Sequence, residues 1–352
     1  MKRILLHYPD GNYGKIFDPC TRDNCNDPYI KLNQRMRDLG YDLCTSDDHS
    51  VIGSEWVLFF DAYSVYLPTN TQRLVGRLLG HGPSLRKRDV YQECLDAGLE
   101  HRMALFLFEA PAVLPSNWNS RLHARFPIIF TWHDGYLAND KFHEFRVPQP
   151  CRFPTVSPQP FSAKKLLVNL SSNKFSNHPR ELYSERRTSI RHFEQTRPAD
   201  FDLYGPAWDQ APGVVQRLRG HMSVHHPSYH GTVTHKWEVY PHYRFALCYE
   251  NIRDEPGYIT EKIFDCMRAD CVPIYWGASN IIDYIPSDTF IDRRRFATNE
   301  DLENYLVQMS EGEYEGYRAA IRGFLASDRF LPFLEDAFAD QVVRVLRLER
   351  AS

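Results

Sequence analysis

Phe245-Ala-Leu-Cys-Tyr-Glu-Asn251, Gly257-Tyr-Ile-Thr-Glu-Lys262 and Cys271-Val-Pro-Ile-Tyr-Trp-Gly277 follow one another closely in the chain. They read as a buried strand ending in a carboxylate and an amide, a polar loop, a helix start and a second buried strand. Apolar runs without alternation suit parallel strands covered on both faces. Thr260 stands at the N-cap position of the helix, and Ile263, Phe264 and Met267 share one apolar face. Glu261 suits the positive end of the helix dipole, whereas Lys262 does not. The lysine makes sense if an anion lies in front of the helix, where unbonded N–H groups point. The alternative is a side chain that extends into solvent.

The same pattern continues outward. Leu166–Leu170 is a strand, Pro179–Phe193 a highly charged helix, and Phe201–Tyr204 a strand stopped by Gly205-Pro206. Arg244–Tyr249, Thr260–Arg268 and Val272–Tyr275 repeat strand, helix, strand, and helical segments follow near 299–310 and 313–326. In the first half, Ile4–His7, Trp56–Phe60, Met103–Phe108 and Pro127–Thr131 are strands, separated by helix-length segments such as Pro28–Leu39 and Asn70–Leu79. Prolines 148, 150, 154, 158 and 160 mark a linker. The expected architecture is α/β, with domains at 1–150 and 151–330 and a closing helix within 331–352. That helix, Leu334–Leu348, carries Phe338, Val342, Val345 and Leu346 on one side and Arg344, Arg347 and Arg350 elsewhere. It reads as packed on the body; the alternative is weak peripheral contact with an anionic membrane at the inner face.

Composition narrows the function. The chain has 352 residues, 43% hydrophobic, and a net charge of −3, which disfavours a nucleic-acid partner. No apolar run approaches the ~18 residues of a membrane helix. The N-terminus reads as a first strand rather than a signal peptide. Eight cysteines include no Cys-x-x-Cys pair, which fits reduced thiols in a cytoplasm and gives a zinc site little support. No Gly-rich dinucleotide or Walker loop is present, which disfavours a nicotinamide-dependent oxidoreductase.

In open α/β sheets ligands sit outside the carboxyl ends of strands. Glu109 directly follows such a strand and precedes Ala110-Pro111, where a carboxylate can serve as general base. The alternative is a strand-end acid that caps a helix. Thr131-Trp-His-Asp134 ends the next strand in a similar way, where His133 is a second candidate base or else a structural or ligand-contact histidine. Arg186, Arg187 and Arg191 share a helix and could hold phosphate oxygens, or form a solvated face with Glu181 and Glu185. Lys236 is a weaker candidate of the same kind.

With these residues in hand, the chain resembles the inverting α1,3/4-fucosyltransferases that use GDP-fucose, in their short bacterial form without a membrane anchor. The resemblance rests on Tyr249-Glu250-Asn251, Tyr258-Ile-Thr-Glu-Lys262, Val272-Pro-Ile-Tyr-Trp-Gly277, Ile285-Pro286 and Phe290-Ile-Asp292. Ser172-Asn173, the Arg187 helix, Asp202-Leu-Tyr-Gly205 and Glu109-Ala-Pro111 fall in the family's order. It is strong over about 165–295, partial over about 100–135 and faint before residue 100. Four departures stand out. Tyr249 replaces Phe, Arg244 stands where Lys is common, and Asp270 replaces Gly. The loop between Asn251 and Tyr258 is about one residue longer.

The resemblance implies a GT-B-like fold, two Rossmann-like domains facing a cleft with the donor on the second. It implies that Glu109 is the base, that Arg187 and Lys262 meet the diphosphate, and that Asn251, Tyr258 and Glu261 touch the donor, with Lys236 as a further contact. The substrates implied are GDP-fucose and an oligosaccharide acceptor of N-acetyllactosamine or lactose type, with Trp132 and His133 lining the acceptor site and with no cofactor and no metal. Two other readings remain at this stage: the same fold with another GDP-deoxyhexose, and a non-catalytic glycan- or nucleotide-binding module.

Overall fold

The computed structural model describes residues 1–8, 15–62, 88–210 and 225–350. The segment expected as a helix at Asn70–Leu79 lies outside them. The chain divides into two compact units. The first comprises Met1–Asp18, Tyr29–Phe145 and Ala339–Ser352; the second comprises Pro19–Pro28 and Arg146–Phe338. The second therefore includes the Pro-rich stretch and, in addition, a short piece from near the N-terminus.

The first unit is built on a six-stranded sheet of β1 (Lys2–His7), β2 (Tyr41–Thr45), β3 (Ser54–Phe60), β4 (Met103–Leu107), β5 (Ile128–Thr131) and β6 (Phe142–Glu144). Its strand order is β2-β1-β3-β4-β5-β6, and every pairing is parallel. Helices α1 (Asp27–Asp38), α2 (Val90–Asp96) and α3 (Ser120–His123) connect strands. All five residues of β4 are buried, as a central parallel strand requires. Leu5, Val57, Phe59, Leu105, Leu122 and Phe126 form the core on one side of the sheet. The sequence did not announce β2 and β6, for a physical reason. They are the two edges of the sheet, and edge strands need no continuous apolar run.

The second unit repeats this plan. Its strands are β7 (Lys165–Leu170), β8 (Phe201–Tyr204), β9 (Tyr243–Tyr249), β10 (Val272–Trp276) and β11 (Ile291–Asp292). They run in the order β11-β10-β9-β7-β8, again all parallel. Both sheets thus reverse direction at their first strand, between β1 and β3 and between β7 and β9. Such switch points open a crevice at the carboxyl ends of the strands, where ligands bind. The helices here are α4 (Tyr183–Thr196), α5 (Glu261–Arg268), α6 (Ile281–Tyr284), α7 (Asn299–Gln308) and α8 (Glu311–Leu325), while α9 (Glu335–Val345) starts in this unit and has most of its residues in the first. Successive residues of β9 alternate faces. Phe245, Leu247 and Tyr249 join the larger core, while Ala246 and Cys248 join a smaller one with Val168, Cys266 and Cys271. Both faces of the sheet are therefore covered.

The Pro-rich stretch is tied to its own unit. Arg268 donates to the carbonyls of Pro150 and Cys151 at 2.7 and 3.1 Å. The apolar side of α9 is spent on the protein: Phe338, Val342 and Leu346 are buried, whereas Arg344, Arg347 and Arg350 are exposed. No helix among the described residues is long and apolar enough to cross a membrane.

Candidate active site

The carboxyl end of β9 carries a cluster of charges. Glu250 follows the strand and is fully buried. Its carboxylate accepts from the Thr260 backbone N–H at 2.8 Å and from the Thr260 hydroxyl at 2.7 Å. Lys262 Nζ lies 3.1 Å from the same carboxylate and 2.9 Å from the Thr260 hydroxyl. Burial would lower the Lys262 ammonium, but the charges of Glu250 and Glu261 outweigh it and hold it above the ordinary lysine value. Lys262 is thus neither a solvated side chain nor a lone cation awaiting an anion. It is a fixed ammonium, 19% exposed, braced by a buried carboxylate.

This bracing corrects one expectation. Thr260 occupies the N-cap of α5, yet its side chain makes no cap hydrogen bond. Its hydroxyl is committed to Glu250 instead. The first N–H groups of α5 therefore gain no cap from the Thr260 side chain, and the positive end of the helix dipole lies at this point. Glu261 opens the helix with its side chain 46% exposed. Burial pushes its carboxyl up, but Lys262 and Lys236 prevail and bring it down to about 2. Asn251 donates to the Tyr258 hydroxyl at 3.3 Å, so these two predicted donor contacts meet each other.

Lys236 belongs to the same network. Its Nζ binds Asp265 on α5 at 2.6 Å, and its backbone N–H donates to Asp23 at 2.9 Å. The three arginines of α4 separate. Arg186 is buried and donates to the Tyr249 and Glu250 carbonyls, so it finishes β9 rather than facing a ligand. Arg187 is half-buried and donates to the Lys174 carbonyl at 2.8 Å and the Ser184 hydroxyl at 3.1 Å. Arg191 lies on the outer side with His192 and Gln195.

In the first unit Glu109 stands two residues past β4. Its backbone is clamped on both sides. The N–H donates to Asp61 at 3.1 Å, and the carbonyl accepts from Asn117 Nδ2 and Trp118 Nε1, each at 3.1 Å. Asp61, just after β3, also accepts from the Phe108 N–H at 2.7 Å and from Asn117 Nδ2 at 2.6 Å. Sequence reasoning missed Asp61 and Asn117, since nothing local marks a buried carboxylate 48 residues from its partner. Its one local trace is an Asp directly after a strand.

Burial pushes the Asp61 carboxyl up to about 7, assisted by the nearby Glu109 charge and opposed by the three donors. A carboxyl raised in the folded state contributes stability that is fully present below its unfolded value near 3.8. That contribution is lost as the pH rises through about 7. Thermal melts between pH 5 and 8 should therefore show a falling midpoint. Asp61→Asn, which keeps an acceptor oxygen, should flatten that fall; an unchanged slope would show that Asp61 is not its source.

Trp132 is corrected as an acceptor contact. It has no exposed surface, donates to the Phe108 carbonyl at 3.0 Å and packs on Trp118 at 4.9 Å. Its indole supports the Glu109 loop from inside the unit. His133 is partly exposed, accepts from the Gly135 N–H at 3.0 Å and lies edge-on to Tyr136.

With this geometry in place, comparison with known proteins finds similarity over one part of the chain. Residues 162–319 match the model of glycosyltransferase family 10 (fucosyltransferase), C-terminal part. That match lies within the second unit and covers less than half of the chain. An α-(1,4)-fucosyltransferase of Arabidopsis thaliana is 37% identical over 82 residues, 22% of this chain and 20% of the relative. GDP-fucose protein O-fucosyltransferase 3 of Canis lupus familiaris is 31% identical over 105 residues, 28% of this chain and 22% of the relative. The matched stretches thus span about a fifth of these relatives. A crystal structure of an α1,3-fucosyltransferase superposes over 98% of this chain and 90% of its own, with a TM-score of 0.54 at 13% identity. The fold is GT-B-like.

Three of the departures noted within the matched stretch have physical reasons. The hydroxyl that distinguishes Tyr249 from Phe has a partner, Ser189 Oγ at 3.2 Å. Arg244 lies over the Phe161 ring at 4.1 Å, a stacking that suits guanidinium. Asp270 has a left-handed φ of 60°, the conformation for which glycine is the usual choice. It stays because its carboxylate meets Lys164 at 3.0 Å and Arg318 at 2.6 Å, and the Lys164 side chain is wholly buried. Gly277 is dictated by packing, since a Cβ there would lie 2.5 Å from Glu250 Cγ.

A prediction follows for Asp270→Gly. It relieves the backbone but leaves the buried Lys164 ammonium without its carboxylate, while Arg318 keeps Glu315, and breaking a buried pair costs about 3–5 kcal/mol. The variant should be less stable in urea melts despite restoring the family's residue. A gain in stability would show that the left-handed strain dominates.

Proposed function

We propose that the protein transfers L-fucose from GDP-β-L-fucose to a glycan hydroxyl, with inversion to an α-linkage. The observation that carries this reading is the Glu250–Thr260–Lys262 network at the head of α5, within the stretch that matches family 10. The diphosphate of the donor meets Lys262, with Arg187 and Lys236 as further contacts. Asn251, Tyr258 and Glu261 contact the rest of the donor, Glu261 through sugar hydroxyls.

Glu109 takes the proton of the acceptor hydroxyl as its oxygen bonds to the fucose anomeric carbon. The bond from that carbon to the phosphate oxygen breaks, and GDP leaves. One displacement requires one base and no nucleophile pair. Charge grows on the leaving diphosphate, where preorganised cations and helix N–H groups stabilise it most. These fixed cations supply the charge stabilisation without an added metal or cofactor. The acceptor is an N-acetyllactosamine- or lactose-type glycan, joined through the 3- or 4-hydroxyl of GlcNAc or Glc.

The test is turnover by the purified protein with GDP-fucose and with other GDP-deoxyhexoses, displayed against a glycan array. Fucose incorporation with stoichiometric GDP release is expected. Preference for another GDP-sugar would reassign the donor, and tight GDP binding without transfer to any glycan would reduce the protein to a binding module.

A further inference from the structure

The N-terminal piece Pro19–Pro28 belongs to the second unit, although it precedes most of the first in sequence and lies far outside the matched family 10 residues. Its placement is built, not incidental. Arg152 grips Asp27 through both carboxylate oxygens, at 2.6 and 2.7 Å. Asn24 Nδ2 donates to the Arg152 carbonyl at 3.1 Å. Asp23, in a left-handed conformation with φ 55°, accepts from the Lys236 backbone N–H at 2.9 Å.

These ties bring Arg22 into a cavity beside the switch point of the second sheet. The cavity is lined by Arg22, Lys236, Ser171, Ser172, Tyr204 and Gly205, among others. Ser171 and Gly205 directly follow β7 and β8, and a Cβ on Gly205 would lie 2.1 Å from the Ser171 carbonyl oxygen. Of the two cations here, Lys236 is matched internally by Asp265. Arg22 is different. Its Nε faces Asp23 at 3.3 Å, its side chain is 57% exposed, and its two Nη groups have no hydrogen-bond partner among the described residues.

We infer that Arg22 is a further nucleotide-binding residue, contributed by the N-terminal piece, whose guanidinium takes phosphate oxygens of a nucleoside diphosphate. This rests on the donor reading given above. A planar fork with two amino groups open suits bidentate contact with phosphate. The same argument gives the Asp23 and Asp27 anchors a purpose, since they hold a flexible arginine near one place.

Calorimetric titration of the full chain with GDP and with guanosine tests the inference. Arg22→Ala should weaken GDP binding about tenfold, the usual scale for one hydrogen bond to a charged group, and leave guanosine binding unchanged. Arg22→Lys should recover part of the loss. The thermal midpoint should stay that of the parent, because the side chain is exposed. GDP affinity within twofold of the parent would overturn the assignment while leaving the donor reading intact. Equal losses for GDP and guanosine would overturn the phosphate contact in favour of a base contact. A parent protein that binds no GDP would reject both this inference and the proposed function.

Discussion

Glu109→Gln should lower fucose transfer by ~10²–10⁴-fold, the usual contribution of a positioned general base, while leaving GDP affinity unchanged. The substitution is nearly isosteric, so it removes the proton acceptor and little else. The surrounding structure favours a clean result. The Glu109 backbone is held through its N–H by Asp61 and through its carbonyl by Asn117 and Trp118, none of which depends on the side chain. The loop should therefore stay in place, and the measurement should report chemistry rather than collapse. Initial rates at saturating donor, with GDP binding by calorimetry, separate the two. Near-normal turnover by the glutamine variant would remove Glu109 from the mechanism.

Lys262→Ala should have two effects, and a second substitution pulls them apart. The first is loss of GDP binding. Truncating a charged partner in such a contact typically costs 2–5 kcal/mol, roughly 30-fold or more in affinity. The second is loss of stability, because Glu250 is fully buried and Lys262 Nζ is its cationic partner at 3.1 Å. An uncompensated buried carboxylate costs about 3–5 kcal/mol. Adding Glu250→Gln removes that charge, and its amide can still accept from Thr260. The double variant should recover most of the stability in urea melts but none of the GDP affinity. If affinity returned together with stability, Lys262 would be a structural cation and the diphosphate would be held elsewhere.

The fold was legible where burial leaves a continuous mark. β4, β9 and β10 are almost entirely apolar because helices cover both faces of their sheets, and their positions follow directly from composition. The edge strands β2, β6 and β11 carry no such mark, and β11 is only two residues long. The charged residues near α5 were legible as types, since a lysine in a first helical turn asks for a negative partner. The identity of that partner was not. Glu250 was visible as a motif letter, but only the folded chain shows that it braces Lys262 and draws the Thr260 hydroxyl away from capping.

Other parts were hidden because they depend on contacts remote in sequence. The Asp61–Asn117 clamp on Glu109 joins residues 56 apart, with no periodic pattern linking them. Arg186 and Arg187 are neighbours on one helix, yet one finishes a strand and the other faces a loop carbonyl. The attachment of Pro19–Pro28 to the second unit depends on single side-chain grips, which leave no compositional trace. Asp270 is the instructive case. It stands where the family has glycine, and it is a left-handed residue kept by two cations.

The most direct test of the whole account is the anomeric configuration of the product, read by NMR after reaction of the protein with GDP-β-L-fucose and an N-acetyllactosamine-type glycan. One base at Glu109 and a leaving diphosphate at Lys262 predict a single α-L-fucoside, with one GDP released per linkage formed and the same product formed ~10²–10⁴-fold more slowly by Glu109→Gln. A β-linked fucoside, or α-linked product formed at the parent rate by Glu109→Gln, would contradict it.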